Sequence, residues 1–247
     1  MEVRSEIVDG STPSGPIAIL HKRPQGSGTW PKVVMFHDGP GVRNATHEFA
    51  VKLAAEGYEV AVPDLYHRHG RLIGFEPDER EADPTLVDRL WEMLRSLTDD
   101  GIQDDLDATL QTLAIDPSER LGVIGFCLGA RAVFRTMMRL PERFVAGAMW
   151  HPSFLADDEP DSPHLTAGSL RRPLFIGIGD SDSMQPIELH RRFFDAVEPL
   201  DHVEIEVFPG ADHGFTWPFW PNYDHSAASG CFDKTTTLFR AHLVPPG

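Results

Sequence analysis

Short runs of β-forming residues alternate with longer amphipathic stretches along most of this chain. That alternation restricts the fold more than any single motif does. Residues 33–37, Val-Val-Met-Phe-His, read as a buried strand, and residues 44–56 follow as a helix with Phe49, Leu53 and Ala54 on one face. Residues 58–63 form the next strand pattern, and a Gly-, Pro- and charge-rich excursion from about Leu65 to Pro84 reads as a loop or lid. Helical patterns occupy residues 84–97 and 102–113. A strand at residues 121–126 runs directly into a helix at 128–140. Strand patterns at 144–150 and 174–179, a helix at 186–197, a strand at 203–208 and a last helix at 225–242 complete the series. Residues 203–208 alternate apolar with acidic side chains, as a strand near a sheet edge does. Repeated strand–helix–strand units predict an α/β fold, a mostly parallel sheet with helices on both faces. No internal repeat, long linker or charge block interrupts the 247 residues, so a single domain, 1–247, is expected.

Composition narrows the function classes. Acidic residues number 38 and basic residues 22, a net charge of −16, which disfavours nucleic acid and anionic membrane surfaces as partners. Only Cys127 and Cys231 are present, so a disulfide framework and a cysteine-rich metal site are excluded. The sequence shows no charged-then-apolar leader pattern and no apolar run of membrane-helix length. A reducing cytoplasm with two free thiols is the expectation. His67 and His69 have a spacing that a metal can use, but no acid or cysteine cluster supports them. No metal or cofactor is expected.

In open parallel sheets, ligands gather where strands end. At one such exit stands Gly125-Phe126-Cys127-Leu128-Gly129, the G-x-nucleophile-x-G spacing of a nucleophile elbow with cysteine at its centre. Composition alone gives about 0.014 chance matches per chain, so the motif carries weight. The residues two before and two after the nucleophile must be small, because strand and helix pass close together there. The turn places the Leu128 N–H at a helix N-terminus, where negative charge is favoured. A thiol nucleophile needs a base, and the base needs an orienting acid. In this architecture the order is nucleophile, acid, histidine. His213, in Asp212-His213-Gly214-Phe215 after the last strand, fits the base. Asp182 is favoured as the acid by its place in a G-x-x-D-x-x-x-P loop from Gly179 to Pro186, with Asp180 as competitor. A second oxyanion donor is expected from the loop His37-Asp38-Gly39-Pro40-Gly41-Val42-Arg43. Pro40 has no N–H, so Gly39 is the natural donor.

The whole pattern resembles the dienelactone hydrolase family of the α/β-hydrolase superfamily. The residues that carry the likeness are the 37–43 loop, Pro63-Asp64-Leu65-Tyr66, the cysteine elbow, Gly179-x-x-Asp182 and His213-Gly214-Phe215. The resemblance implies a Cys127–His213–Asp182 triad that cleaves an ester or lactone without a metal. It also implies that Asp38, where the family carries glutamate, lies near the resting thiol. Four residues after the histidine the family carries an arginine for the substrate carboxylate; this chain has Trp217. Arg80 or Arg89 could match a second family arginine. An apolar wall at Trp217 and a net charge of −16 point to a less anionic ester or lactone as substrate.

Asp38, Arg43, His151 and Trp217 are therefore the expected substrate-binding residues, beside a small-molecule ester or lactone, in a monomer or homodimer. Trp217, Phe219, Trp220 and Tyr223 form an aromatic cluster that could wall a pocket or pack the last loop. Two other readings stay open: a ligand-binding or redox-sensing member of the fold, and acyl transfer through the same site.

Overall fold

The computed structural model describes residues 1–243, which divide into two compact units, Met1–Glu119 and one from Arg120 onward. Each contributes four strands.

In the first unit the strand order is β1 (Val3–Thr12), β2 (Gly15–Pro24), β4 (Glu59–Pro63), β3 (Lys32–Phe36). β1 and β2 pair antiparallel from Val3↔Pro24 to Thr12↔Gly15, a hairpin closed by Pro13 and Ser14. The sequence reading passes over this hairpin. β1 is half exposed and mostly polar, so it lacks a continuous apolar run, although the Thr-Pro-Ser-Gly turn and buried Ile17–Leu20 were readable signals. β2 pairs antiparallel with β4, and β4 pairs parallel with β3. Helix α1 (Asn44–Ala55) buries Phe49, Ala50, Leu53 and Ala54.

The stretch expected as a lid is not a free loop. It contains α2 (Pro77–Ala82), and Tyr66 and Phe75 pack with Leu90 and Met93 of α3 (Thr85–Ser96). The buried Asp64 carboxylate accepts the N–H groups of Tyr66 at 3.1 Å and Leu72 at 2.5 Å. Backbone hydrogen bonds Val42 N–H to Ile73 and Phe75 N–H to Pro40 fasten it to the 37–43 loop. Buried polar groups must be paired, and these pairs turn a polar, glycine-rich segment into fixed structure. Helix α4 (Asp99–Thr112) closes the unit, with Thr98 capping Gly101 N–H.

The second unit holds β5 (Leu121–Phe126), β6 (Phe144–Trp150), β7 (Leu174–Gly179) and β8 (Val203–Phe208), all parallel and in that order. β5, β6 and β7 are buried along their whole length, which is why they read as continuous apolar runs. Alternation along β6 sends Gly147 toward Val133 and Met137 of α5 (Leu128–Arg139). It sends Trp150 the other way, where its indole N–H donates to Thr235 of α7 (His225–Leu243) at 3.0 Å. Helices thus cover both faces of this half. The expected helix at 186–197 is a 3-10 turn, Ile187–His190, followed by α6 (Arg191–Val197). Every catalytic candidate except the 37–43 loop lies at the strand exits of this unit.

Candidate active site

Cys127 joins β5 to α5 with φ 54° and ψ −117°, a conformation that L-residues with a Cβ seldom adopt. Such strain persists only where the surroundings over-determine it. Here they do. A Cβ on Gly125 would run into the backbone carbonyl of Gly129 and come within 2.9 Å of Val133 Cγ2. The cysteine N–H donates to Trp150 C=O at 3.2 Å, and its own C=O accepts from Ala130 and Ser153 N–H at 3.1 and 3.0 Å. Sγ is buried, with Cys127 7% exposed, and sits 3.2 Å from Ser153 Oγ. Leu128 opens the twelve-residue α5, so its N–H lies at the positive end of the helix dipole beside the sulfur.

Asp182 and His213 come from the exits of β7 and β8. His213 Nδ1 donates to Asp182 Oδ2 at 2.7 Å, and both residues are buried. Asp182 Oδ1 accepts the N–H groups of Met184 at 3.1 Å and Gln185 at 2.6 Å, so the carboxylate is held from both sides. Asp180 is engaged elsewhere: its Oδ1 accepts Gly210 N–H at 2.7 Å. Asp212, which the sequence reading did not single out, straps the two loops by accepting Ser183 and His213 N–H at 2.7 and 2.6 Å.

Burial works against charge on the His213 ring. The negative charge of an ionised Cys127 and the Asp182 hydrogen bond outweigh it, and the histidine is pushed up to about 10. The ring lies close enough to Cys127 for both the charge of the sulfur and hydrogen bonding to it to raise the histidine. His190 is buried nearby. Burial pushes its imidazole down to about 4, against the pull of the Asp182 charge.

The remaining predicted residues are placed as follows. His151, with φ 35°, is buried edge-on against the His213 ring at 5.0 Å and Phe215 at 5.3 Å. Its ring packs against His213, and the residue is 1% exposed. Trp217 is 2% exposed and lies against Phe126, ring centroids 4.7 Å apart, just behind the elbow. Phe219, by contrast, is exposed, so the aromatic cluster does not form one wall. In the first unit, the Arg43 guanidinium forms a bidentate pair with the Asp38 carboxylate at 2.5 and 2.8 Å, both side chains buried. The expected contact groups therefore engage each other. Gly39 C=O accepts the Tyr66 hydroxyl at 2.7 Å. His37 accepts Leu65 N–H on Nε2 and donates Nδ1–H to Asp38 C=O, which locks it neutral and occupied.

A strained strand-to-helix turn at the exit of β5, with a histidine–carboxylate pair at the exits of β7 and β8 of a parallel sheet, is the arrangement of the α/β-hydrolase fold. Solved structures share that fold. One, from Klebsiella pneumoniae and provisionally named a dienelactone hydrolase, has a TM-score of 0.81 at 22% identity, covering 97% of this chain and 99% of that one. Another, the dienelactone hydrolase-like promiscuous phosphotriesterase P91 from metagenomic libraries, has a TM-score of 0.74 at 20% identity, with 98% and 99% covered. The chain belongs to the dienelactone hydrolase family, which matches residues 17–243 across both units. An Escherichia coli K12 relative, provisionally named a carboxymethylenebutenolidase, is 26% identical over 229 residues, 90% of this chain and 81% of its own. Membership makes the chain a hydrolase of the carboxylic ester and lactone class. Among the described residues there is no group of three or more His, Cys, Asp or Glu side chains that could hold a metal, and no helix is long and apolar enough to cross a membrane.

Proposed function

We propose that the chain hydrolyses carboxylic esters or lactones through a thioester on Cys127, with His213 as base and Asp182 as the acid that orients it. One observation carries this reading: the buried 2.7 Å His213–Asp182 hydrogen bond stands beside a buried thiol on a strained positive-φ elbow. His213 takes the thiol proton, and the sulfur attacks the acyl carbon. The carbonyl π pair moves onto oxygen, where the Leu128 N–H stabilises it. Collapse expels the alkoxide or enolate, which takes the proton from His213. Water, deprotonated by His213, then attacks the thioester and releases the acid and the free thiol.

A thiolate is itself a good leaving group, so the first tetrahedral intermediate partitions backward unless the alcohol leaves easily. Activated esters and enol lactones are the favoured substrates. The position four residues after His213 holds Trp217, buried behind the elbow, and no guanidinium, so the cation that would pair with a substrate carboxylate is missing there and less anionic substrates are favoured. In this reading the Asp38–Arg43 pair fixes the loop that carries Gly39, and His151 and Trp217 back the base and the elbow.

Hydrolysis of p-nitrophenyl acetate tests the assignment. Cys127→Ala is expected to abolish turnover and Cys231→Ala to preserve it; full activity in Cys127→Ala refutes the nucleophile. Asp182→Asn is expected to lower kcat by about 10³- to 10⁴-fold through loss of the correct tautomer. Asp180→Asn is expected to cost less than tenfold, and the reverse ranking refutes the acid.

A further inference from the structure

We propose that Ser153 is a further catalytic residue, whose hydroxyl donates a hydrogen bond to Cys127 Sγ and stabilises the thiolate. The proposal rests on the reading of Cys127 as nucleophile and adds to it the group that tunes the sulfur.

Ser153 Oγ and Cys127 Sγ are 3.2 Å apart and both buried, with Ser153 1% exposed. The contact is built into the backbone. Ser153 N–H donates to the carbonyl of Cys127 itself, so the residue whose sulfur is contacted also fixes the serine. The segment that presents it is strained on both sides, with φ 35° at His151 and 60° at Phe154. It is pinned on both sides as well. His151 N–H donates to Gly177 C=O at 2.8 Å, and Phe154 C=O accepts from the Arg131 guanidinium at 2.8 Å. Strained, over-determined backbone around one small polar side chain is a feature of functional sites, and the polar atom presented here meets the reacting sulfur.

The chemistry gives the bond a direction. A thiol is a weak donor, whereas a thiolate is a strong acceptor and a hydroxyl a good donor. The bond therefore favours the ionised sulfur. Of the titratable groups in this unit, His213 feels the charge of this sulfur; Asp182 is bonded to that ring, His151 packs against it, and buried His190 feels the Asp182 and His213 charges. None of them repeats the neutral O–H donor that Ser153 offers.

Removing a hydrogen bond to a charged atom should raise the thiol pKa by about one unit. Below the pKa the thiolate fraction then falls about tenfold. Intrinsic nucleophilicity rises with basicity at a slope near 0.4–0.5, about threefold. The net is alkylation about threefold slower at low pH and about threefold faster at the high-pH plateau. A merely structural loss would not make the two profiles cross.

The test is iodoacetamide labelling of the folded protein from pH 4 to 10, read peptide by peptide by mass spectrometry, for wild type, Ser153→Ala and Ser153→Thr. Cys231 serves as an internal reference, since burial and the Glu206 charge push its thiol far up. The expected result is an upward shift of about one unit with crossing profiles in Ser153→Ala, restored in Ser153→Thr. An unmoved profile, or a downward shift showing that the serine accepts from a neutral thiol, overturns the proposal. Should Ser153→Ala fail to fold, Ser153→Gly gives the same comparison. Ester hydrolysis by Cys127→Ala is measured alongside. Activity retained there defeats the nucleophile reading, while the labelling profile still decides the sulfur–serine bond.

Discussion

Replacing Gly125 with alanine should damage the elbow, because the added carbon meets backbone. The new Cβ would lie 2.9 Å from Val133 Cγ2, and closer still to the Gly129 carbonyl carbon and oxygen. Ordinary contact begins at 3.4 Å, so Val133 alone must retreat by 0.5 Å and the first turn of α5 by more. That turn is backbone, not a flexible side-chain end, and it carries both Cys127 and the Leu128 N–H. Overpacking costs typically 1–3 kcal/mol, and a backbone clash belongs at or above the upper end, about 3 kcal/mol. At about 2–4 °C per kcal/mol for a chain of this length, the melting temperature should fall by about 6–12 °C. Displacing the helix N-terminus from the oxyanion should also lower kcat on p-nitrophenyl acetate by at least about 10²-fold at temperatures where the variant is folded. Thermal melts by circular dichroism and steady-state assays on the same preparation measure both. A variant melting within 1 °C of wild type with unchanged kcat would refute the claim that strand and helix need glycine to cross here.

Two more predictions concern charge. His190 is neutral and buried in the fold with its pKa pushed down to about 4, against about 6.5 when unfolded. Between those values the unfolded chain binds the extra proton, so this contribution to stability is full above pH 6.5 and falls as pH drops toward 4. The loss approaches about 3 kcal/mol, and a urea-melt series from pH 7 to 4 should be shallower by that amount for His190→Gln; equal slopes would count against it. Arg43→Leu should destabilise the chain by about 3–5 kcal/mol, because it leaves the Asp38 carboxylate buried without its bidentate partner, and Asp38→Asn in the same background should recover part of the loss. A thermal shift below 2 °C in Arg43→Leu would show that the pair is not holding its loop.

What could be read from the sequence follows burial and steric necessity. β5, β6, β7 and β8 were legible to the residue, because the first three are buried apolar runs and the last alternates cleanly. The elbow was legible because strand–helix crossing demands small residues at fixed spacing. The β1–β2 hairpin was not, since β1 is half exposed and its polar residues mask the alternation. The 65–84 stretch has the composition of a loop, but Asp64 and the 37–43 backbone pin it, and composition carries no record of hydrogen bonds. Asp182 and Asp180 differ by two residues in one loop. Their different engagements, with His213 and with Gly210, come from the direction each side chain takes after β7. Ser153 left no sequence signal beyond its place after a strand, because positive φ values at His151 and Phe154 create the contact.

The central claim is a covalent acyl group on Cys127. Mixing the enzyme with excess p-nitrophenyl acetate, quenching in acid within the first turnovers and mapping peptides by mass spectrometry tests it directly. The account predicts an acetyl thioester, a gain of about 42 Da, on the peptide carrying Cys127, sensitive to hydroxylamine and accumulating further in Asp182→Asn if deacylation slows more than acylation. Acetylation confined to another residue, or full turnover in Cys127→Ala with no adduct at any position, would contradict it.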